Sequence, residues 1–234
     1  MHDQPKKKRS VKMRAIIVSG VGVLLAAFLN IGPAHASVQD DVDQAITILQ
    51  RFQAIPEKAI PNSVLRNAKG LAILTVTKAG FIGSGRGGSG IVVVRTGNGW
   101  SGPSAIGTGG LGVGFQAGVE ITEFVIVLNT QEAVDAFAKE GNVTLGANLS
   151  AAVGPVGRTA EANVALQAAM YTYSISQGLF AGVSLEGAVI ATRDDANAEY
   201  YGKAVAAKDI LAGKVRPPAG ARTLLTVLSN YSAR

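Results

Sequence analysis

The sequence contains no cysteine, and its two histidines, His2 and His35, both lie in the first 36 residues. Without thiols there are no disulfides, no thiolate nucleophiles and no cysteine-bound zinc. Without histidine beyond residue 35 there is no Ser-His-Asp triad, and the commonest acid–base side chain is missing. Aromatic residues make up only 6% of the chain, too few for the aromatic girdles of an outer-membrane barrel. A hydrolase built on residues 37–234 would have to work with carboxylates, and Glu120, Glu123 and Glu186 are the acids set among apolar neighbours. Asp194, Asp195 and Glu199 have the pattern of a capped helix start rather than of a cation site, which recruits more oxygen ligands. Neither a metal nor a cofactor is expected.

The first 36 residues have the anatomy of an export signal. Lys6, Lys7, Lys8, Arg9, Lys12 and Arg14 form a basic head, Ala15 to Ile31 is almost wholly apolar, and Ala34-His35-Ala36 is a small-x-small cleavage site. The rival reading, an uncleaved anchor, wants about 20 apolar residues, and the run here is slightly shorter. The expectation is a signal peptide over 1–36, one domain over 37–234, and an exported, periplasmic or cell-envelope protein. Cleavage would remove six basic residues and Asp3 from totals of 22 and 16, leaving 16 basic and 15 acidic residues. The high isoelectric point therefore belongs to the leader, and nothing in the remainder points to nucleic acid.

What the chain has in abundance is glycine. Gly80 to Glu120 holds 15 glycines in 41 residues. It is no flexible linker, because Ile91-Val92-Val93-Val94, Trp100, Ile106, Leu111, Val113, Phe115 and Val119 are interleaved with them. Glycines between β-branched residues predict strands whose backbones approach one another, or a ligand, closely. Gly85, Gly87 and Gly90 match G-x-G-x-x-G, as do Gly107, Gly109 and Gly112. Both runs continue into strand-like sequence, so neither meets the helix N-terminus that a dinucleotide fingerprint requires.

The remaining elements follow from periodicity and punctuation. A helix is predicted over Ser37–Phe52, with Val38, Val42, Ala45, Ile46, Leu49 and Phe52 on one face. A short helix falls between Pro56 and Lys69, and strands over Leu71–Thr77 and Ile121–Leu128, with Gly97-Asn98-Gly99 as a hairpin turn. Asn129 with Glu132 predicts a cap for a helix over Thr130–Glu140. Strands are expected over Val143–Ala152, Glu161–Met170, Tyr171–Ser176 and Val183–Ala191, then a helix over Asp195–Leu211 capped by Asp194, and a last helix carrying Leu224, Leu225 and Leu228. The fold class is α+β: a mainly antiparallel glycine-rich β-sheet or partly closed barrel, with helices at both ends and one in mid-chain.

In this order the residues resemble the SYLF domain, a lipid- and actin-associated family. The resemblance is carried by Ile60-Pro61, Leu65, Ala68-Lys69-Gly70, Lys78-Ala79-Gly80-Phe81, Gly83, Gly88, Gly90, Arg95 and Trp100-Ser101-x-Pro103. It continues through Gly107 to Gly118, Gly154-Pro155-x-Gly157, Tyr171-Thr172-Tyr173-Ser174, Ser176-x-Gly178-Leu179-Phe180-Ala181-Gly182 and Ser184-Leu185-Glu186-Gly187. Asp194, Asn197 and Tyr200-Tyr201-Gly202 close it. The resemblance implies a binding module rather than an enzyme, with anionic, phosphoinositide-like lipid as partner and contacts from an N-terminal amphipathic segment and nearby basic residues. The export signal fits a bacterial exported member, for which actin is a partner by family resemblance only.

Lys69, Lys78, Arg86, Arg95 and Arg158 lie in or beside the glycine-rich and Gly-Pro loops, where they are candidates to meet lipid phosphates. The alternative is solvated or paired surface charge. Phe81 and Ile82, between glycines, are either a membrane-dipping loop or a core anchor. Val38, Val42, Ile46 and Leu49 are either a membrane-facing helix stripe or a packed one. The acidic polar face of that helix, with Asp40, Asp41 and Asp43, favours packing. A structural or scaffolding protein of the cell envelope, and a carboxylate-dependent hydrolase, remain as alternatives.

Overall fold

The structure, a computed structural model, describes residues 37–80, 83–113, 118–139, 142–145, 150–156, 168–178 and 188–233. Phe81, Ile82, Arg158, Glu186 and most of the strand expected over Glu161–Met170 lie outside the described residues. Six helices are described: α1 (Val38–Ala54), α2 (Asn62–Asn67), α3 (Gln131–Ala138), α4 (Asp194–Tyr201), α5 (Ala207–Leu211) and α6 (Arg222–Ala233). Nine strands form one sheet: β1 (Gly70–Gly80), β2 (Gly83–Thr96), β3 (Gly99–Trp100), β4 (Ser104–Val113), β5 (Gly118–Leu128), β6 (Asn142–Thr144), β7 (Ala151–Val153), β8 (Met170–Gly178) and β9 (Val189–Thr192). Their order is β6-β9-β4-β2-β1-β5-β8-β7, with β3 paired to β2. Every pairing is antiparallel except β7 with β8.

Alternation along the strands divides the sheet into two apolar faces. Leu71, Ile73, Ile91, Val93, Val125 and Val127 point to one face and meet α1, α2 and α6. Ala72, Leu74, Val92, Ile106, Phe124 and Ile126 point to the other and meet α3. On this second face Val143 of β6 and Met170 of β8, from near opposite edges, join one cluster. That meeting requires the sheet to curl around its own side chains into a half-barrel.

Glycine makes the curl possible at two positions. A Cβ on Gly88 would overlap the carbonyl oxygen of Thr75, and one on Gly90 that of Ile73. Both glycines belong to β2 and both collisions are with the backbone of β1, so the two strands press together where no side chain intervenes. Gly85 and Gly87, on the α1 side of the same strand, have nothing within 4 Å of where a Cβ would be. The G-x-G-x-x-G matches thus lie inside β2 and β4, with no helix after either.

α1 is the keystone of the first face. Ser37 and Asp40 form a reciprocal capping box at its start. Val38, Val42, Ala45, Ile48, Leu49 and Phe52 are buried in the first cluster, and each large apolar side chain contributes about 1.5 to 3 kcal/mol. Two polar clasps fix the helix across the sheet. Asp41 accepts from Ser89 Oγ at 2.6 Å and from Arg193 at 2.8 Å. Glu123 of β5 accepts from Arg51 and Gln44 of α1.

Several boundaries differ from expectation. The helix expected over Asp195–Leu211 is two, because Gly202 adopts the left-handed conformation (φ +67°) and caps α4. Its end carries a clamp: buried Asn197 accepts from the Ala105 amide at 2.7 Å and donates to Ser104 Oγ, and the Tyr201 hydroxyl donates to Pro103 O. Burial pushes the Tyr201 pKa up, keeping it a donor. α3 is capped by Thr130, not Asn129, whose side chain donates instead to Ala168 O. Strand β7 pairs in parallel with β8, the one exception among the described strands in the mainly antiparallel sheet that was expected.

Gly90→Ala is expected to destabilise the protein by more than 2 kcal/mol, since the added methyl overlaps backbone rather than a movable side chain. Gly87→Ala should stay within about 1 kcal/mol of wild type. Urea denaturation of both variants is the measurement, and equal midpoints would refute the close-approach account.

Burial raises the pKa of Asp41, an effect larger than the lowering by Ser89 and Arg193. The folded state therefore holds this proton more tightly than the unfolded chain. Protonation of Asp41 stabilises at low pH, and that contribution is lost as pH rises from the ordinary carboxylate value through the raised one. Unfolding free energies measured at a series of pH values should show wild type losing stability relative to Asp41→Asn across that window. Wild type gaining stability relative to Asp41→Asn as pH rises would contradict this sign.

Candidate functional site

The inner face of the half-barrel changes character along its length. From Gly70 to Val76 it is apolar; towards Gly80 it turns polar. Lys78 of β1 stands opposite Arg86 of β2 on one side and Glu120 of β5 on the other. Arg86 in turn stands opposite Gly110 of β4. All four share the inner face, so a row runs Gly110–Arg86–Lys78–Glu120, with directly opposite Cβ atoms about 5 Å apart. Thr122 and Ser176 lie beside the row, their hydroxyls 2.9 Å apart.

The row has an electrostatic logic. Two cations opposite one another repel, and Arg86 lies towards Gly110: a Cβ there would sit 2.9 Å from Arg86 Nε. Gly110 is therefore the space into which the guanidinium folds away from Lys78. Arg86 is partly exposed and, among the described residues, pairs with no acid. Glu120 is buried, at 1% exposure, with Thr122 Oγ1 at 3.4 Å. The row thus combines two cations with one carboxylate over an apolar floor, a polar rim of the kind that fixes an anionic group at the end of an apolar ligand.

The other sequence candidates do not join it. Lys69 is exposed at the start of β1, nine residues from Lys78, about 30 Å along an extended strand. Arg95 is beside Lys69 at that same far end, its amide donating to Lys69 O. Its guanidinium donates to Ala68 O and Leu65 O, both at 3.1 Å, and lies 4.6 Å from the centroid of Trp100. Arg95 is a clamp on the end of α2, and Lys78, Arg86 and Arg95 do not form one patch. Desolvation by burial lowers its pKa, and the carbonyl acceptors and the Trp100 face offset that cost.

Val38, Val42 and Leu49 are buried under the sheet and Ile46 is packed beside them, so this stripe is core in this conformation and not a surface for a bilayer. Glu120 and Glu123 point to opposite faces of β5, the second towards Arg51, and do not converge as paired catalytic carboxylates must. Asp194, Asp195 and Glu199 are on α4, and among the described residues no group of acids is arranged to hold a metal. No described helix is long and apolar enough to cross a membrane.

Sequence reasoning set Lys78 and Arg86 in or beside glycine-rich loops, whereas both lie within paired strands; it missed Glu120 as their neighbour and Gly110 as the guanidinium's seat. The signal was present in spacing: Lys78, Arg86, Gly110 and Glu120 are related by hairpin registers that become readable once the turn lengths are known.

Comparison with known proteins agrees with this architecture of residues. A family model described as "Ysc84: Las17-binding protein actin regulator" matches residues 109–231. SH3 domain-containing YSC84-like protein 1 of Homo sapiens is 49% identical over 210 residues, 86% of this chain and 61% of that protein. LAS seventeen-binding protein 3 of Saccharomyces cerevisiae is 46% identical over 208 residues, 85% of this chain and 45% of that protein. The chain thus spans about three fifths or less of these relatives' lengths. No solved structure matches it. With the family model matching more than half of the chain, the chain belongs to the Ysc84 family, the SYLF family of the sequence resemblance.

Proposed function

We propose that this chain is a non-catalytic lipid- or membrane-binding module that recognises anionic head groups at the Arg86–Lys78 row. The observation that carries the reading is the juxtaposition of two cations on the inner face of a curled sheet, with Arg86 unpaired among the described residues. Bound phosphate would accept charge-assisted hydrogen bonds from the Arg86 guanidinium, with Lys78 adding a second positive charge beside it. Each basic residue near an anionic surface contributes about 1 kcal/mol, so the pair supplies about 2 kcal/mol and apolar contacts must add the rest. The family's description speaks of Las17 binding and of actin regulation. A chain exported by its first 36 residues would be separated from cytosolic actin, so the membrane, not actin, is the partner proposed here.

Co-sedimentation with anionic and zwitterionic liposomes tests the reading. Wild type should bind the anionic ones, less so at high salt, and Lys78→Gln/Arg86→Gln should lose most of that binding, whereas Lys69→Gln should keep it. Equal binding by the double variant would remove the row from the mechanism. No binding by any protein would favour a scaffolding role in the envelope.

Export is part of the same proposal. Intact mass of the protein recovered from its native cell should correspond to a chain beginning at Ser37. A mass retaining residues 1–36 would replace an exported module with an anchored one.

A further inference from the structure

Charge is unevenly distributed along the chain in a way that the total conceals. From Ile210 to Arg234 there is no aspartate or glutamate, while Lys214, Arg216, Arg222 and Arg234 are all basic. Lys214 pairs with Asp209. Arg216 and Arg222 pair with no acid among the described residues, and both are exposed.

These two arginines line the same open groove, of about 620 Å³, between the Arg216–Ala219 segment and the outer side of α6. The volume suits a small organic ligand. α6 borders α1, α2 and β3, and the last two of these lie at the Gly70 end of the sheet, so the groove is separate from the Arg86–Lys78 row.

The walls of the groove specify chemistry. Two guanidinium groups provide two positive charges and planar donor pairs, which match a phosphate monoester carrying about −1.5 to −2 better than a single carboxylate. Pro217 and Pro218 have no N–H to offer, and with Leu225 they make an apolar surface. The hydroxyls of Thr226 and Ser229 already donate to Arg222 O and Leu225 O of their own helix. What remains on those oxygens is acceptor capacity. Asn230, the remaining polar residue of the lining, offers both amide donors and a carbonyl acceptor. Hydroxyls, which donate and accept, can therefore meet Thr226, Ser229 and Asn230 alike, and the ligand should carry them beside its phosphate.

We infer that the groove between Arg216 and α6 is a second anion site, which takes the phosphate monoester of a small polyhydroxylated compound, with phosphate on Arg216 and Arg222 and hydroxyls on Thr226 and Ser229. The inference does not depend on the lipid reading of the inner face. The same chemistry is available free in solution or displayed on a lipid head group.

Isothermal titration calorimetry of the purified protein with glycerol 3-phosphate and glucose 6-phosphate tests it, alongside glycerol, glucose and inorganic phosphate. Both phosphate esters should bind and the neutral compounds should not. Arg216→Gln/Arg222→Gln should weaken binding at least tenfold with an unchanged melting temperature, and Arg86→Gln should leave it intact. Thr226→Val/Ser229→Ala should weaken the esters but not inorganic phosphate. Phosphatidic acid vesicles separate the sources: binding to them alone, lost in the arginine double variant, would support the phosphate half of the site, assign it to a membrane surface and overturn the hydroxyl half. Absence of binding to every phosphate monoester, free or on vesicles, would overturn the site, as would binding unaffected by the arginine double variant. Inorganic phosphate bound as tightly as the esters would overturn the hydroxyl half of the assignment.

Discussion

The contact on which the structure depends is backbone against backbone: β2 pressed onto β1 at Gly88 and Gly90. With side chains there, the two strands would separate or flatten, and the sheet would not close around Phe124, Ile126 and Ile106. The same contact fixes the hairpin register, and the register alone brings Arg86 opposite Lys78. On the other face it sets the position of Ser89, and therefore the place at which Asp41 can anchor α1. Curl, charge row and helix seating are three results of one steric permission.

The charged residues divide by what they touch. Arg51, Arg95 and Arg193 each bind oxygen atoms of another element, carboxylate or carbonyl, and each ties a helix to the sheet or to its neighbour. Such groups cannot turn to a ligand without releasing what they hold, and the cost of leaving a buried acceptor bare opposes it. Arg86, Arg216 and Arg222 have no such commitment among the described residues. The functional argument therefore rests on which cations the fold leaves unengaged rather than on how many it contains.

Much of this was legible in the sequence. The spacing of Val38, Val42, Leu49 and Phe52 specified α1 and its buried face; the Gly97-Asn98 turn and the β-branched run Ile121–Leu128 specified their elements; and the glycine-rich stretch read as close-packed strand. What the sequence did not disclose depended on partners distant along the chain. Arg95 looked like a loop cation because its acceptors, Leu65 O and Ala68 O, belong to the end of a helix some 30 residues earlier. Gly202 sits in an unbroken helical pattern and ends a helix only because its backbone takes a left-handed conformation. Asn129 and Thr130 both have cap chemistry, and the choice between them was made by Ala168, which draws the Asn129 side chain away. Lys78 and Arg86 were recognised as neighbours of glycine loops; that they face one another, with Glu120 behind, needed the strand register.

The clasp on α1 joins residues far apart in the chain: Asp41 to Arg193 across 152 positions, and Tyr231 to the carbonyl of Leu49 across 182. The first described helix is thus completed by the last described one, whose Leu224 and Leu228 fill the same cluster. Loop closure over such spans is entropically expensive before any contact rewards it, so assembly of this domain is slow and late. Until α6 is available the apolar face of α1 has only part of its cover, and the apolar surface left bare is open to aggregation. The folding order is thereby written into the topology: the contacts that join α1 to α6 close last, over the sheet that lies between them in the chain.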